Sequence, residues 1–138
     1  MRVLVCGGRD FNDRQKLHNA LDAIVPRTEP DEYGNSLPDN VTIIHGGARG
    51  ADQLADDYGV LNWCGIEIFR ADWGLGKAAG PIRNQRMINE GKPDIVVAFP
   101  GGKGTADMVR RAKTAGIPVR EIPPLPAIGD RAPDAPTP

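Results

Sequence analysis

Glycines and cations occur together at three places in this chain: Gly7-Gly8-Arg9-Asp10, Gly46-Gly47-Ala48-Arg49-Gly50 and Gly101-Gly102-Lys103-Gly104-Thr105. Glycine has no Cβ, so it admits positive φ and lets a bulky ligand come close to the backbone. A neighbouring Arg or Lys attracts an anion, and a helix starting at such a turn adds free N–H groups and a positive partial charge. The chemistry these residue types suggest is phosphate binding. Each turn also has a plain structural reading, as a tight turn or a packing contact. The Walker A pattern is absent, because no Gly-Lys is followed by Ser or Thr after a glycine five residues earlier. The dinucleotide fingerprint of hydride-transferring enzymes fails as well, since the first turn is not G-x-G-x-x-G.

A fourth stretch differs in character. Asp72, Trp73 and Lys77 follow an apolar run, and Pro81 then opens a helix carrying Arg83, Asn84 and Arg86. Residues three apart share a helix face, so both guanidiniums are expected to point the same way and offer planar forks to phosphate or carboxylate. Trp73 either stacks on a base or plugs the end of the sandwich. Asp107, expected in the first turn of its helix, is a candidate catalytic carboxylate together with Asp72, and Arg83 would hold phosphate in such a reaction. Asp52 reads as a cap and His45 as a structural histidine at a strand end. Cys6 and Cys64 lack metal-ligand spacing and read as small apolar residues. No grouping of His, Cys and acids suggests a dedicated metal site, although a Mg²⁺ held through a ligand's phosphate is compatible with the pattern.

These residues need a frame to bring them together. Short apolar runs alternate with helical patterns: Arg2–Cys6 then 12–25, 41–44 then 51–58, Gly65 to Phe69 then 82–90, 94–99 then 105–115, and finally 117–122. Such alternation predicts a doubly wound parallel sheet of about five strands in a three-layer α/β/α sandwich. The strands are continuous apolar runs, as in Ile95-Val96-Val97-Ala98, which fits burial on both faces. In that architecture the glycine-rich turns all lie on the carboxyl edge of the sheet, where ligands bind. Residues 26–40, rich in Pro, Gly, Asp and Asn, read as a surface loop. Residues 1–122 form the predicted domain, and the proline-rich 123–138 reads as a flexible tail.

The chain has 138 residues, with 17 basic and 18 acidic side chains and 40% hydrophobic residues. That length suits one domain. The balanced charge supplies no global positive field for nucleic acid, and no apolar run approaches the ~18–20 residues that span a bilayer. A cytoplasmic address and a homo-oligomer are expected.

Taken in order, Gly7-Gly8-Arg9-Asp10-Phe11, His45 to Asp52, Gly80 to Met87 and Pro100 to Thr105 resemble the YspA/YpsA-related branch of the SLOG superfamily, long catalogued as a domain of unknown function. The resemblance covers roughly residues 1–122. It implies a Rossmann-like fold that binds a nucleotide or nucleotide-derived ligand, such as a nucleoside phosphate, NAD or an ADP-ribose-like molecule, as a sensor or binding module. Other branches imply two alternatives. LOG phosphoribohydrolases cleave the N-glycosidic bond of nucleoside monophosphates, and DprA binds single-stranded DNA. The Pro-Gly-Gly-x-Gly-Thr element is similar to that of LOG enzymes, but three residues after Thr105 this chain has Met108 where they carry a glutamate. Asp107 sits one residue earlier, about 100° away around a helix. Low aromatic content, 5%, argues against a stacking platform for single-stranded DNA.

Overall fold

The computed structural model describes residues 1–123. The tail expected from 123 onward therefore lies, apart from its first residue, outside the described residues. Five strands, β1 (Arg2–Cys6), β2 (Thr42–His45), β3 (Gly65–Ile68), β4 (Ile95–Ala98) and β5 (Val119–Glu121), form one sheet in the order β3-β2-β1-β4-β5. Every pairing is parallel, and the Leu4 position aligns with Ile44 on one side and Val96 on the other. Four helices cover it: α1 (Arg14–Ile24), α2 (Ala51–Leu61), α3 (Ala79–Asn89) and α4 (Lys103–Thr114). The expected three-layer sandwich is therefore what forms.

Alternation along β1 shows how the two faces are filled. Val3 and Val5 join Leu17 and Leu21 of α1 and Ala55 and Tyr58 of α2 in one apolar cluster. Leu4 and Cys6 join Met87 and Ile88 of α3 and Met108 and Ala112 of α4 in the other. Asp13 caps α1, accepting from the Lys16 amide at 3.0 Å, and the Tyr58 hydroxyl donates to Asp22 at 2.7 Å, tying α2 to α1.

Several expected boundaries move. Helix α3 begins at Ala79, with Pro81 inside its first turn where the missing amide costs nothing. Helix α4 begins at Lys103, so Gly104 and Thr105 are helical and Asp107 lies past the first turn. Between β3 and α3 the chain makes a 3-10 segment, Trp73–Ala78, broken where Gly76 takes φ +69°. Residues 26–40 form a surface loop pinned by a single antiparallel bridge between Arg27 and Pro38.

The strand order reverses between β1 and β4, and the loops leaving these strands lock together. Gly8 donates its amide to the Pro100 carbonyl at 2.8 Å, and its own carbonyl accepts from Ala51 at 3.2 Å. A Cβ on Gly101 would sit 2.7 Å from the Gly8 nitrogen and 3.0 Å from the Gly7 carbonyl carbon, whereas a Cβ on Gly102 would meet nothing within 4 Å. Backbone cannot give way as a side chain can. Gly101→Ala should therefore cost about 1–3 kcal/mol in chemical denaturation. Gly102→Ser, placing a good capping residue at the N-cap of α4, should stay within about 0.5 kcal/mol of the native protein.

Candidate functional site

A cavity of about 650 Å³ opens at the carboxyl edge of the sheet, over the point where strand order reverses. This is the position at which open α/β sheets bind ligands. Its floor is backbone from the first and third glycine-rich turns: Gly7, Gly8, Gly102 and Gly104, with Thr105 beside them. Its wall is α3, through Gly80, Pro81, Arg83 and Asn84, and cations enter from Arg9, Lys77 and Lys103. The structure thus brings together most of the residues singled out for phosphate binding.

Others fall elsewhere, for identifiable reasons. Gly101 and Gly50 do not line the cavity. They let the loops pack, and a Cβ on Gly50 would lie 2.6 Å from backbone atoms of Arg9. Gly46, Gly47 and Arg49 line an adjoining hollow. Arg86 turns away from Arg83: its guanidinium lies 5.5 Å from the Phe69 ring centroid and 3.4 Å from Glu90. Asp72 also stays out of the cavity, its carboxylate accepting from the Gly74 amide at 3.1 Å. Trp73 stands at the rim, 57% exposed, with the Arg9 guanidinium 5.4 Å from its ring centroid.

Arg83 is the residue that joins the strand ends to α3. Its Nη1 donates to the Gly46 carbonyl at 2.7 Å, and its Nε donates to Asn84 at 3.1 Å. Burial pushes Arg83 down from its ordinary value, Asp52 opposes this and the charge of Arg9 adds to it. Asn84, 5% exposed, donates to the Gly104 carbonyl at 3.1 Å and to Asp107 at 3.0 Å, holding α3 against the start of α4.

Both carboxylates on the cavity wall are occupied by partners. Asp52 accepts from the amides of Gly46 at 3.2 Å and Ala48 at 3.1 Å, so the expected capping role is real but serves the loop before α2. Burial raises the Asp52 carboxyl, and the Ala48 amide, His45 and Arg83 work against that rise. Asp107 accepts from Arg111 at 2.8 Å, and also from Asn84 and Arg110. Burial would raise its carboxyl, but the hydrogen bonds from Arg111 and Asn84 and the two arginine charges outweigh it and leave the group below its ordinary value. The same donors favour the ionised form of Asp107. Arg9, Lys77 and Lys103, by contrast, form no ion pair among the described residues.

His45 is structural, as expected, with Nε2 2.8 Å from Asp56 and Nδ1 accepting from the Gly47 amide at 3.0 Å. Cys6 closes the cavity floor, and burial pushes its thiol up to about 12, so it behaves as a small apolar group. Lys77 was visible in the sequence between Gly76 and Ala78 but carried no assignment. Only the 3-10 segment aims it at the cavity. Among the described residues no three or more His, Cys, Asp or Glu are grouped to hold a metal, and no helix is long and apolar enough to cross a membrane.

Comparison with known proteins places this geometry in a family. The chain is 40% identical over 126 residues to the Gene 61 protein of Mycobacterium phage D29, a match spanning 86% of this chain and 93% of that protein. The family model of the YspA, cpYpsA-related SLOG family matches residues 1–76, from β1 into the Trp73 loop, while the Pro100–Thr105 turn lies beyond that match. The chain with its glycine-floored cavity belongs to the YspA, cpYpsA-related SLOG family.

Proposed function

We propose that the cavity binds the phosphate of a nucleotide or nucleotide-derived ligand, and that the protein acts as a sensor or binding module. The observation carrying this reading is the division of charge around the cavity. Its two carboxylates are held by amides, arginines and Asn84, while Arg9, Lys77 and Lys103 face it without a paired acid among the described residues. Gly8, Gly102 and Gly104 supply backbone that a phosphate can approach, and α4 starts at the cavity floor. Trp73 offers a face on which a base can stack.

A second reading, hydrolysis of a nucleotide N-glycosidic bond, is favoured by the place of Asp107 on the cavity wall. An ionised carboxylate there can stabilise an oxocarbenium-like sugar. Its donors, Arg111 and Asn84, oppose the protonated form that a general acid expelling the base would need, so we place the binding reading first.

A thermal-shift panel of nucleoside mono-, di- and triphosphates, NAD and ADP-ribose, with products followed by mass spectrometry, tests both readings. A bound ligand at 100 times its dissociation constant should stabilise the native state by about 2.7 kcal/mol. Gly102→Leu should abolish that shift without lowering the melting temperature of the free protein. A shift that survives Gly102→Leu contradicts the placement, and free base lost on Asp107→Asn would establish the hydrolase.

Asp107 also makes a prediction in pH. Its folded-state value is lowered, so the stability it contributes is fully present above the unfolded value and disappears as pH falls through the folded one. Asp107→Asn should therefore be destabilised relative to native at pH 7, and the difference should start to shrink as pH falls below about 4, the ordinary carboxylate value. Urea titrations at several pH values measure it.

A further inference from the structure

The hollow beside the cavity, about 390 Å³, is lined by Arg9, Arg49, Arg70 and Arg83 around the Gly46-Gly47-Ala48 turn. We propose that it binds a second anionic group of the same ligand, so that the preferred ligand is a nucleotide carrying two separated phosphates. This rests on the nucleotide reading of the main cavity, whose wall it shares through Arg9, Ala48, Trp73 and Arg83.

Two independent observations support a built site. First, the turn is shaped around the guanidiniums. A Cβ on Gly47 would lie 2.8 Å from Nη1 of Arg70, and one on Gly46 would run into the Arg83 guanidinium. These glycines allow arginines, rather than ligand, to lie flat on the backbone, and Arg70 and Arg83 reach the carbonyls of Gly47 at 3.4 Å and Gly46 at 2.7 Å. Second, the charges do not balance. No acid is among the described residues that line the hollow, and the one ion pair its four arginines make among the described residues is Arg49 with Asp10, 3.5 Å apart with both side chains largely in solvent. Asp52 lies beneath the turn and is taken up by its amides. Like charges gathered on one surface repel one another, and a phosphate, with several acceptor oxygens, can be shared by several planar guanidinium forks.

Trp73 lies between the two compartments under Arg9, so anion binding to Arg9 can be read from its fluorescence. Trp63→Phe leaves Trp73 as the sole tryptophan of the full chain. On that background, titration with inorganic phosphate should give a saturable response. Arg49→Ala/Arg70→Ala should weaken it by at least about tenfold, whereas Lys92→Ala/Lys113→Ala, which removes the same charge elsewhere, should not. No response to phosphate, or one that survives the arginine pair, overturns the site. Adenosine 3′,5′-bisphosphate should then bind at least about tenfold more tightly than AMP, with the advantage lost in the arginine pair. Equal affinities overturn the two-phosphate ligand. A phosphate response without any AMP binding would sustain the arginine hollow while overturning the nucleotide reading of the main cavity.

Discussion

Gly8 donates to the Pro100 carbonyl at 2.8 Å and accepts from Ala51 and Phe11, both at 3.2 Å. Through that one residue the exit of β1 is fastened to the exit of β4 and to the start of α2. Parallel pairing of β2, β1 and β4 brings three glycine-rich turns to the same edge, but pairing alone would leave them as separate loops. The close approach at Gly7, Gly50 and Gly101 draws them into one surface. Once that surface is fixed, the amides of Gly46 and Ala48 can settle on Asp52, and Arg83 can reach the Gly46 carbonyl from α3.

The same contacts determine the electrostatics. Buried or half-buried acids are held by specific donors, as Asp52 is by amides and Asp107 by Arg111 and Asn84. Arg9, Lys77 and Lys103, at the cavity, are consequently left without a paired acid among the described residues. Asn84 is the joint between these two halves, since it donates both to the Gly104 carbonyl and to Asp107. The fold therefore supplies glycine backbone below, cations at the sides and an aromatic ring at the rim.

Much of this could be read from the order of the residues. Continuous apolar runs alternating with helical patterns dictate a parallel sheet, and the turns after β1, β2 and β4 carry the glycines in plain view. What could not be read was which glycine serves packing and which leaves open space at the cavity. Gly101 and Gly102 are adjacent and alike in sequence, yet only the first meets backbone from another loop. Arg83 and Arg86 likewise share a helical spacing, but Phe69 and Glu90 capture Arg86 while Gly46 captures Arg83. The division of the cationic surface by Arg9 and Trp73 depends on residues far apart in the chain, which no local pattern encodes.

The most direct test of the account follows backbone amide resonances while AMP is titrated into the isotope-labelled protein. Binding at the carboxyl edge should shift Gly8, Gly102, Lys103 and Gly104 together, with a single dissociation constant, and leave Tyr33 and Trp63 unmoved. Shifts absent from Gly102 to Gly104, or concentrated on the 26–40 loop, would contradict it.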